Sequence, residues 1–203
     1  MKNQLKALKL KNITVKLNHV AILTKSAENA AALCKKSGYE TGPVEDFPAI
    51  GTREIYIGSF EKNGLLLLMQ AVGPGPYLDA LEKRGPGLHH IAVDVDSIES
   101  YLSSLAGSGW LLHPQSLHTM KHSKTIYLAR PGFKALIEVQ EVSQKSLAKP
   151  KDLFISDVFI EGGQQQQNLL NSLQVSGLHI ALGNGSAIVI DGKRISVADL
   201  AMV

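Results

Sequence analysis

The segment Leu17-Asn18-His19-Val20-Ala21-Ile22 returns as Leu88-His89-His90-Ile91-Ala92-Val93, displaced by 71 positions. The offset does not drift: Ser26 and Ser97, Glu28 and Glu99, Gly38 and Gly109, and the pairs Ile55-Tyr56 and Ile126-Tyr127 all obey it. A supersecondary unit of about 70 residues is therefore present twice, and units that cannot bury their apolar face alone stack on their copies. Packing about a pseudo-twofold axis brings His19 and His90, at the same point of each first strand, to equivalent sites. That geometry invites a metal ion between them.

Each unit reads as βαβββ, which predicts an α+β fold of paired modules forming a cupped mixed sheet. The first opens with an alternating strand over Val15 to Ile22 and a helix from Ser26, a plausible N-cap, to a stop at Gly38. Pro43, Pro48 and Gly51 punctuate a loop before strands around Arg53 to Ile57 and Gly64 to Gln70. The second repeats the order: strand His89 to Val95, helix Ser97 to Leu105, then strands near Leu111, Thr125 to Leu128 and Ala135 to Val142. A linker of Gly73, Pro74, Gly75 and Pro76 joins the units and leads into a helical stretch from Tyr77 to Arg84. Three regions follow: a basic leader over 1–15, a two-module domain over 16–145 and a short β-rich C-terminal extension over 146–203. A polar linker at Ser143 to Lys151 leads into the extension, which has a strand near 153–160, a helix from Gln164 to Gln174 and three short strands at 178–182, 186–190 and 194–197. That order is again βαβββ in compressed form, consistent with either a degenerate third module or a β-rich dimerisation or capping element.

With 44% hydrophobic and 19% charged residues over 203 positions, the chain has apolar material for one good core with an appendage. No apolar run approaches the roughly 20 residues of a membrane span. The opening segment has no signal-peptide pattern, so a cytoplasmic protein that does not engage membranes is expected. The net charge of +3 is mild, and lysines 2, 6, 9, 11 and 16 lack interleaved aromatics, so nucleic acid is not an expected partner. The single cysteine, Cys34, falls inside a predicted helix and reads as a buried, inert thiol.

A strand can aim a metal ligand into a concave surface while its neighbours fill the core, because side chains alternate faces. His19 and His90 meet that need, and Leu136-Ile137-Glu138-Val139 supplies a third candidate: a carboxylate among aliphatics is rare unless paired or bound to a cation.

The strands His19-Val20-Ala21 and His90-Ile91-Ala92, the run Leu81-Glu82-Lys83-Arg84-Gly85-Pro86-Gly87-Leu88-His89-His90-Ile91-Ala92 and the run Tyr127 to Glu138 resemble the vicinal oxygen chelate superfamily. That superfamily takes in glyoxalase I, extradiol dioxygenases, bleomycin resistance proteins and methylmalonyl-CoA epimerase, and the first run is most similar to the epimerase. The resemblance covers about Lys16 to Val142 and implies His19, His90 and Glu138 as ligands of a divalent metal: cobalt, manganese, zinc or nickel for a lyase or isomerase. It also implies a small-molecule substrate such as an acyl-CoA, and a homodimer.

The family's fourth ligand is a Glu or Gln on the last strand of the first module. The 71-residue offset from Glu138 lands on Leu67, which cannot bind a metal, and Gln70 is the nearby candidate. Ala49 stands where the epimerase has an acidic residue as a second acid/base. Three functions follow. In the first, a metal-stabilised enolate forms and Glu138, Glu45 or Glu54 exchanges the α-proton. In the second, two histidines and one carboxylate serve as an Fe(II) facial triad for a dioxygenase, with His113, His118, His122, Tyr56 or Tyr127 handling protons. In the third, the cup sequesters a small ligand without chemistry.

Overall fold

The computed structural model describes residues 13–148 and 152–203, so most of the basic leader and the end of the polar linker lie outside the described residues. The first unit is β1 (Val15–Thr24), α1 (Ala27–Lys36), β2 (Glu45–Phe47), β3 (Thr52–Ile57) and β4 (Leu65–Ala71). A connecting helix α2 (Pro76–Arg84) leads to the second unit: β5 (Gly87–Val95), α3 (Ile98–Ser104), β6 (Leu111–Leu112), α4 (Ser116–Ser123), β7 (Thr125–Ala129) and β8 (Leu136–Glu141). Together they make one eight-stranded mixed sheet in the order β2-β3-β4-β1-β5-β8-β7-β6, with each module's first strand parallel to its last and β1 antiparallel to β5 at the seam.

The repeat is visible in local chemistry. The Ser26 and Ser97 hydroxyls accept from the Asn29 and Ser100 amides and cap α1 and α3. Gln70 and Glu141, also 71 apart, each reach back from the last strand to accept the first amide of that helix, at Ala27 and Ile98. Gly38 and Gly109 both hold positive φ, 88° and 93°, where the chain leaves the helix region.

The outer face of the sheet carries the main core: Val20, Ile22, Ile91, Val93, Ile137 and Val139 pack with Ala27, Ala30 and Cys34 of α1 and with Ile98 and Tyr101 of α3. The inner face of the first module is a smaller apolar floor of Ala21, Leu23, Leu67 and Met69, on which α2 lays Ala80, Tyr77 and Leu81.

After a short helix α5 (Gln144–Ala148), within the stretch expected to be linker, come β9 (Ile155–Glu161), a 3₁₀ turn at Gln164–Gln166, α6 (Gln167–Asn171), β10 (Leu178–Ala181), β11 (Ala187–Ile190), β12 (Lys193–Ser196) and α7 (Val197–Ala201). The element order is βαβββ, yet the four-stranded sheet runs β10-β9-β11-β12, with the first strand inside and parallel to the second rather than to the last. The extension shares the main core through Phe154, Ile155, Val158, Leu170, Leu173 and Ile188. The Tyr101 hydroxyl donates to the Leu173 carbonyl at 2.9 Å, the Trp110 ring N–H donates to that of Leu169, and the Lys25 and Ser26 amides donate to the Ala201 and Val203 carbonyls. No helix among the described residues is long and apolar enough to cross a membrane.

Candidate metal centre

Strict alternation would put Leu17 and His19 on one face of β1, and Leu88 and His90 on one face of β5. Leu17 nevertheless packs in the outer core with Leu88 against it, while the two histidines turn toward one another on the inner face. A β-bulge before each histidine makes the change. The partner of Leu17 is Val93 and that of His19 is Ala92, so Asn18 is the extra residue; Ala21 pairs with His90 and Ile22 with Leu88, so His89 is the extra residue opposite. The two bulges are related by the 71-residue offset.

The His19 and His90 Nε2 atoms lie 3.0 Å apart, and Glu138 Oε2 lies 3.3 Å from His90 Nε2. The three side chains offer ligand atoms all within 4.8 Å of one another and are 3%, 2% and 6% exposed. Burial, with the neighbouring His90 adding to it, drives the His19 pKa down to about 3 against the opposing pull of Glu138; burial alone takes His90 to about 3. Both rings are therefore neutral at pH 7, and the contact with Glu138 is not an ion pair. Two donors about 2.1 Å from one cation and roughly 90° apart are about 3 Å from one another, so this set of two nitrogens and a carboxylate fits a divalent metal.

The surroundings are polar on one side. Glu138 Oε1 accepts from Gln140 Nε2, and the Tyr56 and Tyr127 rings stand edge-on to His19 and His90 with centroids 5.7 and 6.3 Å away. Burial, and then the carboxylates, push the Tyr56, Tyr77 and Tyr127 hydroxyls well above the ordinary tyrosine value, so they stay protonated as donors. Glu54 shares the inner face with Tyr56 by alternation along β3, and burial raises its carboxyl above the ordinary glutamate value against a hydrogen bond from Thr52 Oγ1. A cavity of about 410 Å³ opens beside the centre between α2 and α4, lined by Tyr77, Arg84, His89, His113, Tyr127 and Leu136 among others.

Of the residues proposed from sequence, His19, His90 and Glu138 come together. Gln70 does not: its Oε1 is committed to the Ala27 amide at the start of α1, away from the cup. Leu67 holds the place opposite Glu138, since Ala21 pairs with Leu67 and Tyr56 with Leu67 as Ala92 pairs with Glu138 and Tyr127 with Glu138. Glu45 and Ala49 are exposed at the β2–β3 hairpin, His113 lines the cavity, and the tilted rings of His118 and His122 lie 5.2 Å apart on the exposed face of α4. Sequence reasoning missed Asn18 and His89; their signal was a polar residue at the same offset in each strand where an outer-core position was expected.

Residues 18–127, just over half of the 203-residue chain, match the family model described as the Glyoxalase/Bleomycin resistance protein/Dioxygenase superfamily. The chain belongs to that superfamily. No curated protein matches it in sequence. Among solved structures it is similar to a hypothetical protein of Bacillus halodurans C-125, with TM-score 0.53 and 21% identity over 64% of this chain and 96% of that one. It is also similar to a selenomethionine-labelled methylmalonyl-CoA epimerase, with TM-score 0.51 and 21% identity over 66% of this chain and 99% of that one. The methylmalonyl-CoA epimerase of Mycobacterium tuberculosis gives 0.49 and 21% over 66% and 91%. At this identity the first two likenesses show the fold alone, and about a third of this chain lies outside them.

Proposed function

We propose that the protein is a metal-dependent lyase or isomerase that exchanges the proton α to a carbonyl, with an acyl-CoA thioester as substrate in the manner of an epimerase. The buried His19-His90-Glu138 group, facing a cup that also holds Glu54, carries this reading. A divalent cation held by the three residues would polarise the substrate carbonyl and stabilise the enolate. Glu138 has one oxygen toward His90 and the other bound by Gln140, which makes it a ligand and leaves the proton to Glu54. Glu54 is half-buried and holds its proton more tightly than an ordinary glutamate, which suits a base that must return the proton it takes. The neutral Tyr56, Tyr77 and Tyr127 hydroxyls orient the substrate oxygens, and α2 shields the apolar half of the cup from water. The equivalent of Glu54 in the second module is Thr125, so the carboxylate stands on one side only, and inversion would take its second proton, on the opposite face of the enolate, from a neutral tyrosine hydroxyl of the cup.

The test is deuterium uptake at the α-carbon of methylmalonyl-CoA and related acyl-CoA thioesters in D2O, with the protein loaded with cobalt, manganese, zinc or nickel. Uptake should fall by roughly 10²-fold or more in Glu54→Gln. Its rate in the unmodified protein should rise with pH through an inflection above the ordinary glutamate value of 4.5, because the base must first lose a proton that burial retains. No uptake by loaded protein, or full uptake by Glu54→Gln, refutes the assignment.

One observation favours a second reading. With Leu67 opposite Glu138, the donor set among the described residues stops at two histidines and one carboxylate, the arrangement of an Fe(II) oxygenase. Oxygen consumption by the Fe(II)-loaded protein with catechols, in the absence of deuterium uptake from thioesters, would select it.

A further inference from the structure

We propose that His89 is a positioning residue for this centre, holding the His90 ring through its Nδ1 so that Nε2 faces the metal, as Asn18 holds His19. The inference rests on the reading of His19, His90 and Glu138 as metal ligands. Adjacent residues in a regular strand point to opposite faces, so a side chain cannot reach the ring of the next residue. The two bulges remove that restriction at Asn18 and His89. On the first strand, Asn18 Nδ2 donates to Asp94 Oδ1 at 2.8 Å, which fixes the amide so that its Oδ1 faces His19 Nδ1 at 2.7 Å. An oxygen there can only accept, so His19 carries its hydrogen on Nδ1 and presents the Nε2 lone pair to the centre.

On the second strand, His90 Nδ1 lies 2.9 Å from His89 Nδ1. When His90 ligates through Nε2, its hydrogen is on Nδ1 and His89 Nδ1 must be the acceptor, with the His89 hydrogen on Nε2. The Tyr77 ring packs against that of His89 with centroids 5.1 Å apart, and His89 is 7% exposed, so packing restrains the acceptor. The duplicated scaffold thus solves one problem twice, with an amide relayed to a carboxylate on one ligand and an imidazole on the other. Partners of this kind typically set metal affinity by 10- to 100-fold.

The test uses the full chain and measures zinc and cobalt dissociation constants by chelator competition for the unmodified protein, His89→Ala and His89→Asn. The expected result is roughly 10- to 100-fold weaker binding in His89→Ala, with recovery in His89→Asn, whose side-chain oxygen can accept from His90 Nδ1 as that of Asn18 accepts from His19 Nδ1. Thermal midpoints of the metal-free variants separate lost folding from lost binding. Imidazole ¹⁵N correlation spectra of the zinc-loaded unmodified protein give a second readout that needs no variant: His90 protonated at Nδ1 and His89 bare at Nδ1. Equal affinity in His89→Ala, failure of His89→Asn to recover binding in a folded variant, or a hydrogen on His89 Nδ1 overturns the assignment while leaving the metal reading intact. No metal uptake by the unmodified chain overturns both.

Discussion

Placing a carboxylate at position 67 should turn an apolar position of the cup into a fourth ligand, and the size of the effect can be worked from the register. Glu138 comes within 3.3 Å of His90 Nε2 from the strand position paired with Ala92 and Tyr127. Leu67, paired with Ala21 and Tyr56, has the matching position relative to His19. Leu67 is 3% exposed, so Leu67→Glu loses the burial of one leucine and desolvates a carboxyl, a cost of about 3–5 kcal/mol without metal. For a chain of this size each kcal/mol moves the melting midpoint by roughly 2–4 °C, so the metal-free variant should melt about 10 °C lower. A ligand that binds only the folded state stabilises it by about 2.7 kcal/mol at 100 times its dissociation constant. A fourth ligand that tightens binding tenfold adds about 1.4 kcal/mol at the same metal concentration. Thermal denaturation across a zinc or cobalt titration should show a larger metal-induced rise in Leu67→Glu than in the unmodified protein. An equal or smaller rise would mean that position 67 does not face the centre and that the pseudo-twofold does not extend to ligand geometry.

Gln70→Leu separates the two roles considered for that residue: it removes the acceptor of the Ala27 amide and should cost about 1 kcal/mol of stability, while metal affinity by chelator competition stays unchanged. Tyr101→Phe leaves the Leu173 carbonyl without its donor in the seam between the modules and the extension, and calorimetry should register a loss of about 1–3 kcal/mol. Burial pushes the Cys34 thiol up to about 11, so the native protein should react with iodoacetamide or a thiol-exchange reagent only after unfolding.

The duplication made the eight-stranded sheet, its seam and the two histidines legible, because a constant offset fixes both register and symmetry, whereas Glu138, whose copy is Leu67, was legible as a carboxylate among aliphatics. What escaped were features that arise only when elements pack. α4 carries Leu117 and Met120 exposed and so has no clear buried stripe, yet its Ser116 hydroxyl donates to the Tyr127 carbonyl and accepts the Tyr127 amide, which ties the helix to β7. β2 has three exposed residues and is held by pairing to β3, including Arg53 to Asp46 at 2.8 Å, rather than by a hydrophobic pattern. In the extension, sequence order gave the elements, but the parallel pairing of β9 with β10 depends on α6 crossing between them and could not be read from order alone. Gln70 looked available as a ligand because a glutamine at a strand end has no apolar pattern to place it; the helix amide at Ala27 decides its direction.

The symmetry is informative where it is kept and where it is broken. The caps Ser26 and Ser97, the glycines Gly38 and Gly109 and the bulges at Asn18 and His89 are kept in structure, and each serves the backbone path that brings two first strands together. The departures gather around the centre: Glu138 faces Leu67, Glu54 has Thr125 as its counterpart, and His89 has Asn18. A fully symmetric cup would offer a substrate two equivalent halves and no preferred orientation. Here one half is a floor of Ala21, Leu23, Leu67 and Met69 under α2, and the other carries Glu138, Gln140 and Tyr127. A substrate with an apolar acyl group and a polar carbonyl end therefore has one way to lie in the proposed site, with its reacting carbon between the ligand set and Glu54. The duplication builds the frame, and the few substitutions between its copies give that frame a direction.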